Sequence, residues 1–174
     1  MANLKAYRDE HQKYPREQRI KLSSRMAQLL TWELSKRFDV KLGIQGVRMS
    51  TRGNGKCHAG YGVAYIDLPY NGCSLGMVLH ELAHAYNRQK YNNNGHTGTF
   101  KNALSVLYHH SRPMLKEILL KLKAQIEKER VDTAAAIAKS TARAVRTEAR
   151  EKARAEFKKS RAYRIQHLQK RISA

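Results

Sequence analysis

The stretch HELAHAYNRQKYNNNGHTGTF, residues 80–100, decides how this chain is read. His80 and His84 stand four apart around Glu81, and after a run of asparagines and Gly95 comes His96. On an α-helix, residues four apart share a face about one turn apart, so His80 and His84 can aim their imidazoles at one metal ion. Glu81 falls about 100° round the helix, where its carboxylate can reach a metal-bound water without taking a coordination position. Two neutral nitrogen ligands, a metal that lowers the pKa of water and a carboxylate base are what zinc hydrolysis requires. With 8 histidines in 174 residues, chance supplies about 0.02 such matches per chain. The blander alternative is a surface helix with two solvated histidines.

The break after the helix fits the same chemistry. A catalytic zinc needs a third protein ligand, which the helix carrying the first two cannot supply. Asn92, Asn93, Asn94 and Gly95 tolerate left-handed and turn conformations. They would turn the chain and leave His96 at the mouth of a following helix, facing back. His109 and His110 are rival third ligands or donors to the reacting group. His58 is more remote, and Cys57, His58 and Cys73 match no usual metal-site spacing.

Around this stretch the coarse pattern is α+β. Ser74 is a candidate N-cap for a helix reaching about residue 90, after an Asn71-Gly72 turn. Leu75, Val78, Leu79, Leu82, Ala85 and Tyr86 form its apolar stripe, with Gly76, Asn87 and Tyr91 on the histidine side. Upstream, a helix is expected from about 16 to 38, carrying Ile20, Ala27, Leu30, Leu34 and Phe38 at helical spacing. Residues 44–51 and 57–69 read as short strands around a turn cluster at 52–56, with Gly60 and Gly62 marking a bulge or tight turn. A helix is expected over about 99–110. Beyond Pro113 no Gly or Pro occurs, so one or two long helices should follow. There Val131, Ala135, Ala138, Ala142, Val145 and Ala149 form a narrow seam at heptad-like spacing, and Ile165, Leu168 and Ile172 a shorter stripe. The expected organisation is a catalytic domain over 1–112 and a basic helical extension over 113–174.

Charge separates the chain's tasks. The 34 Lys and Arg outnumber 14 Asp and Glu, a net +20 that solubility does not require. A polyanion is the natural partner, nucleic acid the commonest one, with a merely solvated basic surface as the alternative. Residues 1–56 carry net +8 and residues 131–174 net +8, whereas residues 57–112 carry only +2. Arg143, Arg146, Arg150, Arg154, Lys158 and Arg161 are the candidate phosphate contacts, with DNA ahead of RNA. No apolar run is long enough to span a bilayer, and the start MANLKAYRDEHQ lacks a signal-peptide core. An intracellular, nucleic-acid-associated location is expected, with Cys57 and Cys73 as reduced thiols.

HELAHAY, with Gly95-His96 and Phe100, resembles the active-site helix and later histidine of the SprT-like zinc metallopeptidases, the group that includes the Spartan DNA–protein crosslink protease. Gly55-Lys56-Cys57 and Ile66-Asp67-Leu68 resemble the strand region before that family's helix, so the likeness spans residues 44–104. It implies a zincin-like fold, Zn2+ held by His80, His84 and His96, and Glu81 as general base and acid. Thr97 intervenes before Gly98 where the family often has Gly directly after the histidine. The chain's 2 cysteines cannot build the four-cysteine ribbon that many members carry. The metzincin pattern fits less well, because residue 87 is Asn and residue 90 is Lys.

The function expected is a zinc-dependent endopeptidase acting on proteins held at nucleic acid, with Glu81 activating a zinc-bound water. Extended peptide would add to the strand near 61–68. Tyr91, His109 or His110 would stabilise the oxyanion. The alternatives are a basic packaging or scaffold protein with a structural zinc and, more weakly, a zinc-dependent nuclease.

Overall fold

A computed structural model describes residues 2–51, 55–59 and 62–172. Three helices come first: α1 (Ala2–Lys13), α2 (Pro15–Arg19) and α3 (Ser24–Arg37). Strands β1 (Leu42–Ser50), β2 (Lys56–Ala59) and β3 (Ala64–Pro69) follow, then α4 (Leu75–Tyr91) and α5 (Gly98–Ile172). The class is α+β, as the pattern predicts. Residues 52–54 of the expected turn cluster, with Gly60 and Tyr61, lie outside the described residues.

The sheet order is β1-β3-β2, with β1 parallel and β2 antiparallel to β3. Val47, Ile66 and Leu68 are buried on the sheet's inner face together with Leu30 and Leu34 of α3 and Leu75, Leu79 and Leu82 of α4. The other face carries polar groups: Asp67 of β3 binds Arg48 of β1 at 2.8 Å and His58 of β2 at 3.2 Å. Period-2 alternation explains this division, since Asp67 sits between two inward residues. Cys57 pairs with Ile66 and His58 with Tyr65, so adjacent residues of β2 face opposite sides. The imagined Cys57–His58–Cys73 grouping therefore does not converge.

Two helical expectations need correction. The single helix over 16–38 is two, interrupted at Ile20, whose backbone is extended (ψ 105°). The interruption is held by strand-like bonds to the segment entering α4: Leu22 N donates to Cys73 O at 3.0 Å and Leu75 N to Ile20 O at 2.9 Å. Ser23 then caps α3 by accepting from Met26 N. Conversely, Pro113 does not end the helix begun at Gly98. A proline removes one helical hydrogen bond, but here both flanks are anchored. Leu107 and Tyr108 before it, and Leu115, Ile118 and Leu122 after it, are buried in the same core.

The chain divides into two compact units, Met1–Ile126 and Glu127–Ala174. The first unit includes the start of the expected extension, because that apolar stripe continues to Ile126, the last of the described residues packed against the core. From Val131 to Gln166 every side chain is exposed. The seam residues Val131 and Val145 are 60% and 61% exposed. No helix among the described residues is long and apolar enough to cross a membrane.

Candidate metal centre

Helix α4 begins where the sequence predicts. Ser74 caps it, its hydroxyl accepting from Met77 N at 3.1 Å. Burial is not confined to the apolar stripe: His80, Glu81 and Asn87 are also nearly inaccessible (1%, 2% and 0% exposed). The helix ends at Asn92 in the left-handed conformation, φ 51°, whose N–H donates to Arg88 O. Asparagine tolerates that region because its short polar side chain can bond locally.

The turn that follows is built by side chains. Asn87 Nδ2 donates to Asn93 O at 2.8 Å, tying the loop to α4. Asn93 Oδ1 accepts from Gly95 N at 2.9 Å, and Asn93 Nδ2 reaches Thr97 Oγ1 at 3.1 Å. His96 is thereby returned to α4. Its Nε2 lies 3.3 Å from His80 Nε2. One nitrogen each from His80, His84 and His96 falls within 4.8 Å of the others, so these three residues could hold a metal ion. Phe100, one turn into α5, walls the cluster, with its ring 5.2, 4.4 and 4.7 Å from the three imidazoles. His109 and His110, the rival ligands, are exposed on α5 and outside the cluster. Tyr91 is 47% exposed at the far end of α4.

The electrostatics suit metal binding. Burial, with the neighbouring His80 and His96, lowers the His84 pKa to about 3. Burial and His80 also lower that of His96. Both are neutral at pH 7, with lone pairs available. Burial pushes the Glu81 carboxyl up to about 7, against the opposing pull of His80. A hydrogen bond from the Cys57 backbone also steadies the carboxylate. Gly55, just before β2, lies directly over it: a Cβ there would stand 2.8 Å from Glu81 Oε1 and 3.1 Å from Met77 Cγ. Gly55→Ala is therefore expected to displace the carboxylate and lower any Glu81-dependent turnover by about 10-fold or more, at under about 2 kcal/mol in stability. A melting curve and a rate measurement on the same sample check both parts.

Sequence reasoning missed Glu10. It lies on α1, a helix with no apolar periodicity to announce it. Its Oε2 is 2.5 Å from His80 Nδ1, and both side chains are almost wholly buried. Tyr108, a core aromatic by its spacing on α5, donates its hydroxyl to Glu10 Oε1 at 2.9 Å. Tyr108 stacks on Tyr14 with centroids 3.8 Å apart. A cavity of about 200 Å³ opens beside His96, lined by the apolar Tyr14, Phe100 and Leu104 and by the charged Asp9, Glu10, Lys13 and Lys101.

The peptide-binding strand expected near 61–68 is β3, which is bonded on both sides and has no free edge. The edge strand nearest α4 is β2. The six candidate phosphate contacts, Arg143, Arg146, Arg150, Arg154, Lys158 and Arg161, are all exposed on α5. No family model, curated protein or solved structure matches the chain.

Proposed function

We propose that this chain is a zinc-dependent endopeptidase, built on the SprT-like plan, that acts on proteins held at nucleic acid. The observation that carries this reading is the convergence of His80, His84 and His96 beside a buried Glu81. Zinc fits the donor set. Tetrahedral coordination with Zn–N near 2.05 Å separates ligand nitrogens by about 3.4 Å, and the His80–His96 pair stands at 3.3 Å. Three histidines, with no fourth protein ligand in the cluster among the described residues, resemble an open catalytic site more than a closed structural one.

When bound, the metal supplies a water of lowered pKa and polarises the scissile carbonyl. The protein's own part falls to Glu81, which takes a proton and returns it to the leaving amine. A carboxyl titrating near 7 is matched to both directions of that transfer. Among the described residues β2 is an edge strand, and its outer side offers backbone groups to an extended substrate. The cavity of about 200 Å³ beside His96 has room for one substrate side chain. Both features favour a polypeptide over a phosphodiester as the substrate.

The alternative, a basic scaffold with a structural metal, draws on the exposed cationic stretch of α5. Metal content and cleavage separate the two. The purified protein is expected to hold about one zinc and to cut an unfolded or DNA-bound protein, a cut that chelator stops. Retained zinc without cleavage of any such substrate would favour the scaffold. His96→Ala is expected to weaken zinc binding beyond the roughly 10–100-fold that losing an outer partner costs. Unchanged metal content in that variant would remove His96 from the ligand set.

A further inference from the structure

The geometry points to Glu10 as the positioning residue for His80: it fixes the imidazole in the Nδ1–H tautomer and so makes helix α1 part of the metal site. This rests on the reading of His80, His84 and His96 as a metal centre. It goes further in assigning a role to a residue 70 positions away in sequence.

A metal-ligating histidine must present an unprotonated nitrogen, and its other nitrogen decides which one that is. In His80 the outer nitrogen is Nδ1, which meets Glu10 Oε2. The nitrogen facing the cluster is Nε2. A carboxylate only accepts, so Nδ1 must carry a hydrogen, and Nε2 is the nitrogen left to meet the metal. The tautomer follows from the network, provided that Glu10 cannot turn away or exchange roles.

Glu10 is held against turning. Its Oε1 accepts from Tyr108 Oη at 2.9 Å and from Gln18 Nε2 at 3.1 Å. The Gln18 amide is itself oriented, because its Oε1 accepts from Ser74 Oγ at 3.3 Å. Ser74 caps the helix that carries His80. Tyr108 is fully buried and fixed by its stack on Tyr14. One carboxylate oxygen is thus gripped from α2 and from α5, with the other aimed at His80 of α4. Three donors converge on a group 4% exposed. Its negative charge also makes the imidazole a stronger donor to a cation.

The arrangement gives an unusual expectation for the isosteric variant Glu10→Gln. The oxygen of the new amide is expected to take the Oε1 place, where Tyr108 and Gln18 both donate, because the opposite orientation would turn the Tyr108 hydroxyl to the longer contact with Gly76 O at 3.5 Å and set two amide nitrogens against each other. The amide nitrogen then faces His80 Nδ1 and donates to it. His80 is forced into the opposite tautomer, with hydrogen on Nε2 where the metal should bind. A merely structural hydrogen bond would not produce this reversal.

The test uses the full chain, labelled with nitrogen-15 at histidine. In the metal-free wild type, His80 is expected to show the Nδ1–H pattern, and in Glu10→Gln the Nε2–H pattern. Zinc affinity, read by chelator competition, should fall about 10–100-fold in Glu10→Gln. The visible spectrum of the cobalt-loaded protein should shift with it. Tyr108→Phe separates holding from accepting: the carboxylate and its bond from Gln18 remain, so the Nδ1–H pattern should persist, while zinc affinity falls by less than in Glu10→Gln. Should Glu10→Gln fail to fold, Glu10→Asp decides the matter. Drawing the carboxylate back by one methylene is expected to let both tautomers appear. An Nε2–H pattern in wild type, or an unaltered tautomer and zinc affinity in the folded Glu10 variant, would overturn the proposal. If wild type shows the expected tautomer but binds no zinc, the positioning role stands and the metal-centre reading falls.

Discussion

Glu81→Gln is expected to keep the fold and the zinc while cutting peptide turnover by about 10²-fold or more. The amide copies the shape of the carboxylate but cannot accept a proton at neutral pH. Metal analysis and a cleavage assay on one preparation check both halves, and undiminished cleavage would remove Glu81 from the role of base. The same substitution should alter stability in a pH-dependent way. The Glu81 carboxyl titrates near 4.5 when unfolded and near 7 in the metal-free fold. The folded state therefore holds this proton more tightly. Its stabilising contribution is complete below about pH 4.5 and is lost as pH rises through 7. A shift of this size corresponds to about 3 kcal/mol. Metal-free Glu81→Gln, compared with metal-free wild type, should gain relative stability across that window and hold a constant difference above pH 8. His84 contributes in the opposite sense, since its lowered pKa gives stability that fades on acidification below 6.5. That term is common to both proteins and cancels in the difference. A flat difference between pH 5 and 8 in denaturant melts would show that Glu81 is not buried as a carboxyl. A buried carboxyl that weakens the empty fold at neutral pH fits the proposed role as base better than a stabilising role.

How much of this was legible beforehand depended on the range of the interactions. Helix α4, its Ser74 cap and the return of His96 follow from local rules: a capping hydroxyl, an i, i+4 pair and residues tolerant of a left-handed turn. Ser74 and Asn92 obey those rules in the structure. The helix over 16–38 was legible in its apolar spacing but not in its break, because the break is enforced by Cys73 and Leu75, some fifty residues on. Pro113 was misleading for the same reason: packing on both sides of it outweighs one missing hydrogen bond. Glu10 was invisible for a stronger reason. Nothing in RDEHQ distinguishes a buried partner of His80 from a solvated surface acid, and only the tertiary arrangement of α1, α4 and α5 does so. Local pattern thus places the residues that would touch a metal. Long-range packing chooses the residue that orients one of them.

Truncation after Arg130 is expected to separate the chemistry from the binding of polyanions. Among the described residues, every member of the buried core lies before this point, as do His80, Glu81, His84 and His96. The shortened chain should therefore fold and cut a small unfolded peptide at the full-length rate. What it loses is residues 131–174, with net +8 and all six proposed phosphate contacts. Those six recur at intervals of three and four, which at about 100° per residue places them on one face of the helix. From residue 143 to residue 161 that face runs for about 27 Å, long enough to follow several phosphates without reading bases. If five or six phosphates are neutralised, full-length affinity for DNA should fall about 10³-fold between 50 and 200 mM salt, with little dependence on sequence. The truncated chain should bind more weakly at low salt and show a shallower slope. The seam Val131, Ala135, Ala138, Ala142, Val145 and Ala149 lies about 120° round from the cationic face by the same reckoning. Self-association along the seam would leave the cations outward and double the charge presented. Packing and polyanion binding are thus compatible, and the sedimentation of full-length and truncated chains shows whether the seam is used. Equal affinity of the two chains for both DNA and RNA across the salt range would exclude this stretch as the binding surface. The net +8 of residues 1–56 would then be the remaining concentration of positive charge large enough to hold a nucleic acid.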